Sequence, residues 1–283
     1  MSVKVIKEGL LSSIQDLGRF GFAGWGVPQS GVMDRYSAKM ANLLVGNQEF
    51  EAVMEVTLLG PVLEFQKETL VVVVGLKAQV KLNDLKIELL RPFLVESGDQ
   101  LHIKQITQGV RAYVAVSGGF KTKEFLKSRS QFFPITSHAS LQKGEISPYN
   151  LQEENSVQQF AGIKYEAKRY ASKVLEVYKG PEWDRLSNEL QIQLQIEVLS
   201  ISKNNSRMAY QLTEQFPNTI KGMLSQPVLP GTVQLTPGGN LIVLMRDAQT
   251  TGGYPRIFQL TEKSIQILSQ KKQGDKIEFK CID

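Results

Sequence analysis

An apolar run over residues 241–245 passes directly into Arg246 and Asp247, then Gln249, Thr250, Thr251, the pair Gly252 and Gly253, and Tyr254. An acid, a base, an amide and two hydroxyls gathered at one strand end have the composition of a polar rim around a small ligand. Arg246 and Asp247 are the candidate catalytic pair, and residues 249–254 the candidate substrate contacts. A hairpin with a glycine turn accounts for Gly252 and Gly253 without any ligand, but not for the other groups.

A second cluster lies near the start of the chain. The stretch GRFGFAGWGVPQSG carries Gly18, Gly21, Gly24, Gly26 and Gly31 and leads into Asp34 and Arg35. Glycines let backbone N–H groups come close to an anion, and the start of a helix favours negative charge. Arg19 can hold a carboxylate or phosphate with its planar fork; a local salt bridge to Asp16 is the plainer alternative. Asp34 suits a helix N-cap, a structural role that competes with a catalytic one for it and Arg35. No GxxxxGK[ST] loop occurs, so there is no Walker-type phosphate cradle.

Weaker candidates follow. In VMEVTLLGP, Met54, Val56 and Leu58 share one strand face and Val53, Glu55 and Thr57 the other. The second face meets solvent, or lines a polar mouth if the strand belongs to a barrel. Ser117, Gly118 and Gly119 end another strand-like run, and Ser128, Arg129 and Ser130 set a guanidinium between two hydroxyls. His102 alternates with apolar neighbours and His138 has no partner nearby in sequence.

The elements that must position these residues are mostly strands. Short alternating or apolar runs between Gly, Pro, Asn and Asp turns recur along the chain, among them TLVVVVGL, AQVKL, LHIKQI, RAYVAV, SIQILS and KIEFKCI, which predicts a mainly β architecture rich in barrels. Two helices are expected. One covers residues 34–45, where Met33, Tyr36, Met40, Leu43 and Leu44 share a face and Gly46 ends it; a short one starts near Pro181. Gly9 and Gly180, Met33 and Met208, and Gly98 and Gly274 lie in similar contexts, in the same order and at nearly one offset, pointing to duplicated β-units. The expected division is residues 1–168 and 169–283, with strands from 108–168 able to pack with the second unit.

With 283 residues, 42% hydrophobic and 22% charged, the chain has material for two cores. A net charge of +5 is spread out rather than blocked, which argues against nucleic acid and suits an anionic small molecule. One cysteine and two histidines give no disulfide and no expected metal site. No signal peptide or membrane span is read, so the expected address is cytoplasmic.

The segment SIQDLGRFGFAGWGVPQSGVMDRYSAKMANLLVGN, followed by EVTLLGP, VSGGF, SRS, SRMAYQL and RDAQTTGGYPRI, closely resembles the family variously called the C component of 5-oxoprolinase, allophanate hydrolase subunit 2, KipI antagonist or biotin-dependent carboxyltransferase domain. The resemblance covers nearly the whole chain. It implies two cyclophilin-like β-barrel domains with few short helices, and a composite site shared with a KipI-like B component. It further implies ATP-driven opening of 5-oxo-L-proline to L-glutamate in a 5-oxoprolinase complex that also holds an A component, with ATP required at the level of the complex. The alternatives are a carboxyltransferase component acting on urea or a related amide, with biotin as the carrier, and a non-enzymatic antagonist of a KipI-like histidine kinase inhibitor. Arg246 and Asp247, with Arg19, Asp34 and Arg35, are the residues expected at the polar centre. The family pattern usually has a leucine and a glycine before SRS; here Lys127 stands in the glycine's place.

Overall fold

The computed structural model describes residues 1–150, 164–220 and 222–282. The polar stretch LQEENSVQQFAGIKYEAKRYAS, residues 151–172, whose composition suits a linker, lies partly outside the described residues. Contacts divide the chain into two units, one of Met1–Arg19 with Ser30–Ala167, the other of Phe20–Gln29 with Lys168–Asp283.

The first unit holds β1 (Ser2–Lys7), β2 (Leu11–Gln15), α1 (Arg35–Leu44), β3 (Val53–Thr57) and β4 (Val62–Phe65). It continues with β5 (Thr69–Leu82), β6 (Leu85–Ile87), β7 (Phe93–Val95), β8 (Gln100–Val116) and β9 (Ile146–Pro148). These strands form one nine-stranded antiparallel sheet with the path β2-β3-β8-β4-β1-β9, and β5 pairs β8 along most of its length. TLVVVVGL and AQVKL are a single strand, β5, as LHIKQI and RAYVAV are a single strand, β8.

The consecutive valines of β5 are explained by burial on both faces. Val71 and Val73 join the core enclosed by the sheet, while Val72 and Val74 face outward against Ala38, Met40 and Ala41 of α1. A strand covered on both sides loses the polar half of its alternation. The face of β3 that carries Glu55 is therefore not solvated: Val53 and Tyr113 belong to the α1-side core, and Glu55 is directly opposite Tyr113 across the β3–β8 ladder.

The second unit holds β10 (Val174–Lys179), α2 (Asn188–Ile196), β11 (Leu199–Asn205), β12 (Ala209–Gln215), β13 (Gln226–Pro227) and β14 (Thr232–Leu235). After these come β15 (Asn240–Leu244), β16 (Thr251–Gly252), β17 (Arg256–Leu260), α3 (Glu262–Ser269) and β18 (Lys276–Cys281). Seven of the strands close into a barrel in the order β10-β17-β14-β15-β12-β11-β18, and β13 pairs β16 in a separate ribbon. The barrel is shut by β10 and β18, which run parallel with Val174 opposite Glu278. Its interior is aromatic and aliphatic, with the Phe258 ring 4.7 Å from Trp183 and 5.2 Å from Phe279.

The expected strand SIQILS is a correction: these residues lie in α3, whose N-cap Thr261 accepts from the Ser264 N–H. The expected helix over residues 34–45 is α1, and the one near Pro181 is a short turn of helix at Trp183–Arg185 followed by α2. No helix of the described residues is long and apolar enough to cross a membrane. Among the described residues no group of three His, Cys, Asp or Glu side chains could hold a metal.

Candidate functional site

In the second unit, β15 runs out at Leu244 and the chain turns before β16 begins at Thr251. The ladder supplies no bonds across this gap; the turn closes on itself through the Ala248 N–H to the Met245 carbonyl at 3.1 Å and is tied to the barrel by contacts reaching in from elsewhere. The Met245 N–H donates to the Met208 carbonyl at 2.8 Å, and the Asp247 N–H to the Arg207 carbonyl at 2.9 Å. Arg207 returns the contact through its side chain: Nε and Nη2 donate to the two carboxylate oxygens of Asp247 at 2.8 and 3.1 Å. Arg246 leaves in another direction, and its buried guanidinium pairs with Glu262 of α3. The adjacent acid and base are thus split between two ion pairs.

Farther along, the Val228 N–H donates to the Thr250 carbonyl at 3.0 Å and the Met223 N–H to the Gly253 carbonyl at 3.1 Å. Val228 packs with Leu244 and Ala248. The ribbon of β13 and β16 is in this way pinned to the barrel wall. A Cβ on Gly252 would lie 2.4 Å from Gln234 Nε2, so the end of that side chain would have to shift to admit one. Beyond the turn, Arg256 forks onto Glu182 with contacts of 2.9 and 2.8 Å and also donates to the Pro227 carbonyl at 2.9 Å. These hydrogen bonds from Arg256 outweigh burial and lower the Glu182 carboxyl below its ordinary range.

What the loop leaves open is as informative as what it fixes. Gln249 Oε1 and Arg246 Nε are buried and have no hydrogen-bond partner among the described residues. A buried polar atom without a partner costs about 1–3 kcal/mol, so these two atoms constitute an unmet demand for one donor and one acceptor. Thr251 and Tyr254 are exposed.

The first-unit candidates are differently placed. Asp34 is fully buried and caps α1: its carboxylate accepts from the Ser37 N–H at 3.2 Å and the Ser37 hydroxyl at 2.7 Å. The Ser37 hydroxyl also lies 2.8 Å from that of Tyr165. The helix start that could have received an outside anion is thus filled by the chain's own carboxylate. Ahead of it, the Met33 N–H donates to Glu55 Oε2 at 2.7 Å and the Asp34 N–H to the Tyr113 hydroxyl at 2.8 Å. Tyr113 donates in turn to Glu55 at 2.9 Å, and Arg111 stands 3.4 Å from the same carboxylate. Burial, reinforced by the Glu55 and Asp34 carboxylates, pushes the Tyr113 phenol well above its ordinary range, which keeps it a proton donor. Glu55 therefore braces the approach to α1 from inside instead of facing a polar mouth.

Arg35, partly buried at the first position of α1, reaches the Leu17 carbonyl at 3.4 Å. A cation at the positive end of a helix is unfavourable by roughly 0.3–1 kcal/mol, so helix stability does not explain its presence. Thr57 lies opposite Arg111 at the end of β3. Gly118 and Gly119 follow Ser117 in a tight turn; the Gly118 N–H donates to Asn47 Oδ1 at 2.8 Å, and a Cβ on either glycine would strike Asn150 or Glu51. This turn is accounted for by packing.

Asp16 and the Ser128–Arg129–Ser130 cluster form one assembly. The Asp16 carboxylate accepts from the Ser128 and Ser130 hydroxyls at 2.6 and 2.7 Å, the Arg129 N–H at 2.6 Å and the Gly18 N–H at 2.8 Å. Buried Arg19 donates to the Ser130 carbonyl. Arg207 is the residue that sequence reasoning missed. It lies within the quoted SRMAYQL segment, but its partner is 40 residues away, and no local spacing signals that pair.

The family described as carboxyltransferase domain, subdomain A and B, matches residues 25–281. Over 283 residues the chain is 30% identical to the C component of the Escherichia coli 5-oxoprolinase, covering 98% of this chain and 90% of that protein. The crystal structure of Kluyveromyces lactis urea amidolyase superposes with a TM-score of 0.88 at 28% identity, over 100% of this chain and 19% of that one. The crystal structure of TTHA0988 gives 0.87 at 26% identity, over 99% of this chain and 55% of that one. This chain thus spans about half of one solved relative and a fifth of the other.

Proposed function

From the membership of this chain in the carboxyltransferase domain A and B family, we propose that it is the C component of an ATP-dependent 5-oxoprolinase. In this reading it works with a KipI-like B component and an A component of the same enzyme to open the lactam of 5-oxo-L-proline to L-glutamate. The near full-length similarity to the E. coli protein supports the assignment. The observation that carries a ligand role is the unmet pair in the 246–254 loop, buried Arg246 Nε and buried Gln249 Oε1.

A secondary amide presents a carbonyl that accepts and an N–H that donates, which complements that pair. Arg246 Nε is suited to the carbonyl oxygen, where negative charge grows as the amide carbon becomes tetrahedral. Gln249 Oε1 is suited to the lactam N–H. Thr250, Thr251, Tyr254 and the N–H groups of Gly252 and Gly253 are assigned to orienting the rest of the substrate. Asp247, forked by Arg207, holds the loop and supplies fixed negative charge. In the first unit, Asp34 is assigned to shaping the segment that presents Arg35, with Glu55 bracing that segment through the Met33 N–H.

ATP is a reactant of the whole assembly. The α1 start is closed by Asp34 and the sequence has no Walker loop, so no step on this chain is derived through ATP. The deciding experiment is to combine the purified chain with the products of its neighbouring genes and measure ADP release. Release that depends on 5-oxoproline and falls about 100-fold with Q249A is expected, in the range for loss of a positioned substrate contact. Release that ignores 5-oxoproline overturns the reading.

The likeness to K. lactis urea amidolyase favours a second reading, a carboxyltransferase component for urea or a related amide, in which biotin would carry the carboxyl group. Transfer of labelled carboxyl from carboxybiotin to urea would select it.

A further inference from the structure

The 246–249 turn has no ladder of its own, yet it carries both buried unpartnered atoms of the proposed amide site. Its one internal backbone bond, from the Ala248 N–H to the Met245 carbonyl at 3.1 Å, does not tie it to the barrel, so contacts from outside the turn set where it sits. Arg207 contacts it twice, through its carbonyl to the Asp247 N–H at 2.9 Å and through its guanidinium to both Asp247 oxygens at 2.8 and 3.1 Å. The next residue adds a third contact, from the Met245 N–H to the Met208 carbonyl at 2.8 Å. The Ser206 N–H closes its own turn onto the Ala209 carbonyl at 2.9 Å where β12 begins, so the clamp is built on a barrel strand.

We infer that Arg207 is a positioning residue that acts through Asp247 to fix the 246–249 turn in its ligand-receiving conformation; this rests on the proposed amide site. The chemistry of the pair supports that role. Arg207 is buried, and a forked guanidinium–carboxylate contact specifies angle as well as distance, which a lysine point charge does not. Arg246 and Gln249 flank Asp247 by one and two residues. A rotation of the Asp247 peptide therefore displaces both orphaned atoms, and about 1 Å of displacement at a reacting centre costs on the order of 100-fold in rate. Met208, with its backbone in the same turn and its side chain exposed, serves as the control position.

The test uses R207M, R207K and M208A in the full chain. Amide hydrogen exchange is read by peptide, and turnover is read in the complex reconstituted with its partners. Expected for R207M is faster exchange confined to residues 245–253, with core strands β14 and β17 protected as in wild type. Its kcat should fall about 100-fold with KM changed less, R207K should fall between R207M and wild type, and M208A should match wild type. If R207M does not fold, R207K carries the comparison. Unchanged exchange at 245–253 overturns the inference, as does loosened exchange with wild-type kcat. A wild-type complex that does not turn over 5-oxoproline overturns the function proposed above, while the exchange pattern still decides the clamp.

Discussion

Lys127 shows how one side chain can sit against the grain of its backbone. Leu126 and Lys127 both have positive φ, 53° and 61°, at the tip of a tight turn in which Phe125 and Ser128 exchange backbone hydrogen bonds. The left-handed region costs a residue with a Cβ roughly 1–2 kcal/mol. Lys127 is exposed, so the cost is not offset by burial. Replacing it with glycine removes the strain but adds about 0.5–1 kcal/mol of unfolded-chain entropy. Lys127→Gly is expected to stabilise the protein by roughly 0.5–1 kcal/mol, read as a higher urea midpoint at unchanged slope; a lower midpoint would contradict the strain argument. At this scale the residue types of the candidate site were legible, since Arg246 and Gln249 stand out as a polar burst after an apolar run. Their partners were not. Asp16 meets Ser128 and Ser130 across more than a hundred residues, and Arg207 meets Asp247 across 40, so only the closed chain reveals that these groups are spent on one another.

At the scale of elements, the periodic signal succeeded where an element has one exposed face and failed where it has none. Helix α1 shows an apolar stripe through Tyr36, Met40 and Leu44 because its other side meets solvent, although Leu43, expected on that stripe, is exposed and Ala38 and Ala41 are buried in its place. Every residue of α3 from Ser264 to Ser269 is buried, so neither helical nor strand period survives in SIQILS; the surviving clue was the cap, Thr261 three residues before Ser264. A similar dependence on termini governs the joint between the Trp183–Arg185 turn and β17. There Gly180 lies so close that a Cβ would be 2.0 Å from the Arg256 carbonyl oxygen, and Glu182 receives the Arg256 fork. Because the folded state lowers the Glu182 carboxyl through these bonds, their contribution is fully present above the unfolded value, about 4.3. It is lost as pH falls through the lower folded value. Glu182→Gln should therefore lower the thermal midpoint at neutral pH and flatten its decline as pH falls below the unfolded carboxyl value. An acid-side slope equal to wild type would show that the joint is not titrating. Gly180→Ala should cost about 3 kcal/mol by overpacking against backbone that cannot yield, whatever the pH.

At the scale of the whole molecule, what matters is where each core closes along the chain. The mainly β, barrel-rich character was legible from the spacing of turns, but which strands pair to close the barrel was not. It depends on a parallel pairing of β10 with β18, the first and last strands of the second unit's continuous segment. Strand β18 also pairs β11 on its other side, so it is the stave that removes both free edges at once. All seven barrel strands and both of the unit's longer helices lie within Lys168–Asp283, a length comparable to domains of roughly 100 residues that fold alone. Residues 168–283 expressed as a fragment should therefore give a β-type spectrum and a single cooperative thermal transition. Its midpoint should fall below that of the full chain, because Phe20–Gln29 belongs to the same unit and is missing. Ending the fragment at residue 275 removes β18, leaves β10 and β11 with unpaired edges, and should yield aggregates without a cooperative transition. A fragment that is unfolded even with β18 present would mean that the Phe20–Gln29 segment is part of what closes the core. Restoring that segment as a fused extension would then have to recover the transition, which makes the discontinuous segment, and not strand count, the quantity that decides whether this barrel stands by itself.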